Sequence, residues 1–320
     1  QERVQMSDGK AIIKKIIRIP GMQAIIALAV IVIFFSIASS SYRNFGTYAS
    51  ILQHSAILGI VACGSTLILI SGGLDLSVGS VMALTTCFVG IILTKNNEMI
   101  VPAILAGTAV GGLCGLVNGA IIVSTGIPAI IVTMGMMNIA KGIALIIGAG
   151  KDLSKFPEQF TMLGTGLIFP MIFLLASALI VYLVLTRTRL GFNSFSIGGN
   201  EEVARLSGIK VKKMRVIYYT LGGLFAGLAG TVQTAKFDFA SPNRGVGWEL
   251  QAIAAVVIGG TSLFGGVGGV WRTIIGVLII KSLDTGLIHL GVGSYYQKIA
   301  TGIVIILAVM VDSLQRKKHV

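Results

Sequence analysis

Residues 100–123 read IVPAILAGTAVGGLCGLVNGAIIV, a run with no charged side chain and long enough to cross a bilayer core as a helix. Within it Gly107, Gly111, Gly115 and Gly119 recur every four residues. That spacing sets all four on one helical ridge, and such ridges let two backbones approach closely in lipid. Comparable runs lie near 21–40, 48–70, 77–94, 128–148, 166–186, 217–235, 249–262, 267–288 and 295–312. The run at 249–262 is the shortest. Gly223 and Gly227, in the run at 217–235, repeat the four-residue pattern more weakly. The chain is therefore expected to be an all-α integral membrane protein of about ten transmembrane helices, one domain over 1–320. Composition agrees: 12% of residues are charged and mean hydropathy is +0.91, whereas soluble domains carry roughly 25% charged residues.

The net charge of +13 is unevenly placed. Arg3, Lys10, Lys14, Lys15 and Arg18 precede the first run. Arg187, Arg189, Arg205, Lys210, Lys212, Lys213 and Arg215 crowd the connection 187–216, and Arg316, Lys317 and Lys318 end the chain. Basic residues gather on the cytoplasmic side of membrane proteins, so both termini and the 187–216 loop are expected there. Six runs precede that loop and four follow it, and even numbers return each basic segment to the same face. No folded basic surface lies outside the membrane ends, which argues against nucleic acid as a partner. The 1–20 segment, with IIKKIIR at 12–18, has the alternation of an interfacial helix. The 21–40 run follows basic residues and ends in small ones, as a signal peptide does; it is read as the first permanent span because nothing large and soluble follows it.

Two breaks resemble each other. Residues 70–81 read ISGGLDLSVGSV and 258–270 read IGGTSLFGGVGGV. Glycine-broken segments at corresponding places in two halves point to a transporter's substrate path. They are equally readable as tight turns at the cytoplasmic surface, where the span count puts their tips. Polar groups near these breaks and inside the runs are the candidates for the path: Asp75, Ser77, Asn118, Thr133, Asn138 and Gln251. Asp75 could instead cap the helix that follows, and the neutral residues could bond helix to helix. Lys281 and Asp284 are three apart and suited to neutralise one another, while Lys141 lacks a local partner and is expected to snorkel. Cys63, Cys87 and Cys114 sit in apolar runs as small buried hydrophobes. His54 and His289 have no companion at ligand spacing, so neither a metal nor another cofactor is expected.

The basic loop holds GNEEVARLSG over 199–208. Asn200 suits a helix N-cap, and Glu201 and Glu202 fall where the helix dipole favours acids. Glu201 and Arg205 are spaced as an i,i+4 pair, and Gly208 suits the left-handed position past the helix end. Two turns do not hold alone in water. The element must dock, with Val203, Leu206 and Ile209 as its face, on its own membrane domain or on a cytoplasmic partner. No catalytic group is apparent. Around Lys151 the sequence GAGKD lacks the first glycine and the hydroxyl residue of a phosphate loop, so this chain is not expected to hydrolyse ATP.

The stretches GGLDLSVGS (72–80), GLVNG (115–119), TRLG (188–191), GGNEEVARLSGI (198–209), ELQAIAAVVIGGTSLFGG (249–266) and SYYQ (294–297) resemble the permease subunits of ribose-type ABC sugar importers. The resemblance implies two paired permeases, identical or related, in the bacterial cytoplasmic (inner) membrane. It also implies two ATP-binding subunits inside and a periplasmic or extracellular sugar-binding protein outside. It assigns 199–209 to ATPase coupling, with Asn200, Glu201, Glu202, Arg205, Leu206, Ser207 and Gly208 as its residues and Val203 where alanine is commoner. Trp248 and Gln251 depart from the tyrosine and aspartate frequent in such permeases, so the sugar does not carry over. The expected function is ATP-driven import of a monosaccharide or related small polar solute by alternating access. The alternative is an ion-coupled secondary transporter, which would need buried acids as relays; Asp75 and Asp284 are the candidates.

Overall fold

The computed structural model describes residues 21–148 and 152–317. The expected interfacial helix in 1–20, Lys151 and Lys318 lie outside the described residues. The helices are α1 (Met22–Ala38), α2 (Phe45–Ile70), α3 (Val78–Lys95), α4 (Ile100–Thr125), α5 (Ala129–Ile147), α6 (Glu158–Thr161) and α7 (Ile168–Arg187). They continue with α8 (Arg189–Gly199), α9 (Glu201–Leu206), α10 (Val211–Phe237), α11 (Trp248–Ile258), α12 (Val270–His289) and α13 (Ser294–Lys317). Two short strands, β1 (Leu153–Ser154) and β2 (Phe239–Ala240), pair antiparallel. Among the described residues, six helices are long and apolar enough to cross a membrane: α2, α3, α4, α5, α7 and α10. The protein is an all-helical integral membrane protein.

The glycine ridge of α4 lies against α10. A Cβ on Gly111 would stand 2.3 Å from the Gly223 carbonyl oxygen, and one on Gly115 would stand 2.1 Å from that of Tyr219. The fit is mutual, since a Cβ on Gly223 would meet the Gly111 carbonyl oxygen at 2.2 Å. On its other sides α10 takes α2 at Gly64, where a Cβ would stand 3.0 Å from the Gly222 Cα, and α3 at Met82, against Gly230. Gly230 is about three quarters of the way along α10, so α3, which starts one turn before Met82, begins beside the second half of α10.

The expected helical span at 249–262 is corrected. α11 has 11 residues, about 16 Å of helix, against a hydrocarbon core of roughly 30 Å. Glycines explain both limits: Gly245 and Gly247 hold φ of 91° and 84° just before it, and Gly260 holds 91° just after, a backbone that only glycine adopts at no steric cost. The chain returns from the far end of α10 through β2 and the turns at 241–247 before α11 begins. Lys141 fastens those turns. Its ammonium donates to the Pro242 carbonyl at 2.5 Å and to Asn243 Oδ1 at 2.7 Å, so it is anchored on protein and does not snorkel.

Gly111→Val drives two methyls into backbone that has no room to yield, and overpacking of this kind costs about 1–3 kcal/mol. We expect a clear fall in the thermal midpoint of the purified protein in detergent. Gly135→Ala on α5, where a Cβ would meet nothing within 4 Å, is expected to leave that midpoint unchanged or raised.

Candidate coupling and translocation site

The short helix forms as its local signals dictate. Asn200 Oδ1 accepts the Val203 amide at 3.1 Å, and Gly208 turns at φ 84° to end the helix. One expectation is corrected. Arg205 pairs with Glu202 at 2.5 Å, while Glu201 pairs with Arg215 near the start of α10. Arg215 offers Glu201 a partner that ties α9 to the bundle, and Glu202 is then left for Arg205. That carboxylate holds the exposed Arg205 guanidinium above its ordinary range.

The helix docks on its own membrane domain, one of the two expected modes. Ala204 is buried with Ile197, Val211 and Tyr218, and Ile209 packs against them. The Tyr218 hydroxyl donates to the Leu190 carbonyl at 2.7 Å, seating α8 on α10. Val203 and Leu206 face the other way, 57% and 77% exposed. The face expected to contain Val203, Leu206 and Ile209 is thus divided: Ile209 joins the domain and the other two stand free of it.

At the end of α8 the two glycine breaks meet. The Gly266 amide donates to the Ile70 carbonyl at 2.9 Å. Gly198 sits on that bond: a Cβ there would stand 1.9 Å from the Ile70 oxygen and 2.4 Å from the Gly266 nitrogen. Gly265, at φ 85°, would place a Cβ 2.8 Å from the Gly198 Cα. The breaks are therefore not two separate surface turns. They form one backbone junction with Gly198, two places before the cap of α9. Sequence reasoning passed over Gly198, whose only signal was its place in the GGN repeat of small residues before the cap.

From the junction the first break enters the bundle. Tyr219 donates its hydroxyl to the Leu74 carbonyl and accepts the Leu74 amide, at 3.1 and 3.2 Å. Asp75 Oδ1 then accepts the Ser77 amide at 2.8 Å and the Ser77 hydroxyl at 2.6 Å. Asn118 donates to the Ser77 oxygen at 3.0 Å. Asp75, Ser77 and Asn118 are all buried, and the carboxylate braces the start of α3. At that point α3 meets α11: a Cβ on Gly79 would stand 2.2 Å from Glu249 Oε2 and 2.3 Å from the Gly245 oxygen. Two helix N-termini thus converge inside the bundle.

The remaining candidates lie elsewhere. Thr133 is buried and returns its hydroxyl to the Ala129 carbonyl at 2.8 Å. Asn138 is exposed and donates to the Met134 carbonyl at 3.0 Å. Gln251 belongs to a second cluster, where Lys281 donates to its Oε1 at 2.7 Å, pairs with Asp284 at 3.2 Å and lies 5.3 Å from the centre of the Trp248 ring. The expected Lys281–Asp284 pair forms, and Gln251, standing where an acid is frequent, completes it without adding charge.

Residues 47–309 match the family described as the permease component of the branched-chain amino acid transport system. The chain is 39% identical to the ribose import permease protein of Escherichia coli (strain K12), over 91% of this chain and 93% of that protein. It is 38% identical to the ribose import permease protein of Bacillus subtilis (strain 168), over 92% of each. To the D-allose transport system permease protein of Escherichia coli (strain K12) it is 36% identical, over 91% and 90%. No solved structure matches the chain. A match running from the first turn of α2 into α13, together with relatives aligned along nine tenths of its length, shows that this chain belongs to the family of transport-system permease components and is a membrane permease subunit.

Proposed function

We propose that the chain is the permease subunit of an ATP-driven importer that moves a monosaccharide or a related small polar solute across the bacterial cytoplasmic membrane. It works beside a second permease subunit, identical or related. Two ATP-binding subunits engage it from the cytoplasm and a solute-binding protein from outside. The whole chain acts as one membrane domain of ten crossings, with both ends and the 187–216 loop in the cytoplasm. The eighth crossing is made in two parts, the turns at 241–247 and then α11, which preserves the parity that the basic segments require. The relatives named for ribose and allose import support the solute class.

One observation carries the reading. α9 is fixed to its own domain through Ala204, presents Val203 and Leu206 outward, and connects through Gly198 to the junction of both breaks. A partner seated on the exposed pair moves α8 and α9 as a unit. The motion reaches Ile70 and Gly266 without compressible side chains between, and so bears on α3 and α11, whose N-termini meet at Gly79, Gly245 and Glu249. Shifting those half-helices changes which side of the midplane is open. The ion-coupled alternative needs an acid free to exchange protons, and here Asp75 braces α3 while Asp284 is engaged by Lys281.

Exposed ion pairs contribute only about 0–1 kcal/mol, so Arg205→Glu and Leu206→Asp are expected to insert normally. Each should cut solute-stimulated ATP hydrolysis by the assembled transporter sharply. Full coupling in both variants would count against the docking role. Gly198→Val is expected to behave differently, with the ATP-binding subunits still co-purifying while ATP-dependent uptake in proteoliposomes is lost. Undiminished uptake in vesicles without the ATP-binding subunits would overturn the ATP-driven reading itself.

A further inference from the structure

The corner where α7 turns into α8 carries chemistry that the coupling path does not use. Thr188 is the single extended residue between the two helices, with φ −124° and ψ 159°. Side chains on either side of one extended residue leave the chain on the same side. Arg187 and Arg189 accordingly line one open cleft of about 480 Å³, with Thr186, Phe192 and Ser196. Both arginines are exposed, and among the described residues neither has an ion pair. The acids of the following helix are engaged elsewhere, Glu201 by Arg215 and Glu202 by Arg205, and the first turn of α8 has none.

The other polar groups of the cleft have already used their protons. Thr186 and Thr188 donate to the Tyr182 and Val184 carbonyls at 2.7 Å each, and Ser196 donates to the Phe192 carbonyl at 2.9 Å. The donors left over are the two guanidinium forks, so the ligand that fits is an anion. The cleft also opens onto lipid. Leu175, Leu179, Tyr182 and Leu183 of α7 are exposed, and they follow one another three and four residues apart on a strip that ends at Thr186 and Arg187. Across the cleft Phe192, one turn into α8, is 69% exposed. A free anion from water has no use for these apolar walls, whereas a phosphate carrying acyl chains does.

We propose that this cleft binds an anionic glycerophospholipid of the cytoplasmic leaflet. Its phosphate lies between Arg187 and Arg189, whose planar forks match phosphate oxygens. One acyl chain follows the strip Leu183, Leu179 and Leu175, and the glycerol lies against Phe192. Anionic headgroups concentrate on the cytoplasmic side and attract basic residues at the ends of spans. A lipid held there braces the one corner that joins a membrane span to α8, the helix that ends at the Gly198 junction. The inference goes beyond solute transport and needs only that α7 crosses the bilayer.

Trp271 can read this site, since its ring lies 6.1 Å from that of Tyr182. The chain holds two tryptophans, so Trp248→Phe leaves Trp271 as the sole emitter. In that background the full chain is reconstituted in bilayers that contain either brominated phosphatidylglycerol or brominated phosphatidylcholine. Quenching of Trp271 is expected to give an affinity for phosphatidylglycerol about tenfold or more above that for phosphatidylcholine. Arg187→Gln combined with Arg189→Gln should abolish the preference. Lys212→Gln combined with Lys213→Gln removes the same charge from exposed positions on α10 outside the cleft, and should keep it. Equal affinities for the two lipids, or equal loss in both double variants, would overturn the proposal. Reversal of the quenching by inorganic phosphate at constant ionic strength would make the occupant a free anion and overturn it too. So would an arginine double variant that keeps the lipid preference but no longer retains the ATP-binding subunits, because the pair would then belong to that interface.

Discussion

In lipid, helices gain nothing by hiding apolar side chains from one another, because the surrounding tails are just as apolar. What can hold two helices together is close backbone approach, and here it occurs where Gly107, Gly111 and Gly115 of α4 meet Gly223 and Gly227 of α10, with Gly119 against Val216. α10 in turn carries α2 on Gly222 and α3 on Gly230. The start of α3 and the buried groups of the first break are set relative to this one helix. Side chains on the α4–α10 seam would push α10 outward and take the Tyr219 bonds to the first break with it.

The same economy governs the junction of Gly198 with Ile70 and Gly266. Buried backbone amides and carbonyls need hydrogen-bond partners wherever water does not reach them. The bond from the Gly266 amide to the Ile70 carbonyl does this for both breaks at once, and a bare Gly198 lets α8 close over it. Two otherwise separate loops become one mechanical unit with α9. An element of two turns, too short to hold alone, is thereby held by Ala204 on one side and by its attachment to the junction on the other.

Charges inside the bundle are few, and most are fastened. Lys141 secures the turns before α11, and Lys281 ties α11 to α12 through Gln251 and Asp284. Asp75 braces α3 through Ser77. These contacts join segments that a continuous helix would have joined by its own hydrogen bonds, so polar side chains stand in where glycine has broken the helix.

Much was legible without coordinates. The apolar runs located the helices, and the four-residue glycine spacing predicted a tight helix seam, because both depend only on local chemistry and on the helical repeat. Asn200, Glu201, Glu202 and Gly208 announced α9 through its own caps. Partner choice was not legible. Glu201 chose Arg215 over the nearer Arg205, Lys141 reached the turns before α11, and Gln251 met Lys281 across two helices, since each is a distance in space that spacing along the chain does not encode. Asn138 and Thr133 carry chemistry suited to a path, and the packing leaves the first exposed and buries the second while each donates to its own helix. The length of α11 was hidden as well, because hydropathy over 249–262 registers apolar side chains and is blind to the left-handed glycines that start and stop the helix. Sequence alone determined that this is a helical membrane protein with a docking helix in its basic loop, for those properties are written in composition and local caps. Only the tertiary structure decided that the two breaks and that helix touch, because a contact made by backbone atoms of Ile70, Gly198 and Gly266 leaves no side chain to announce it.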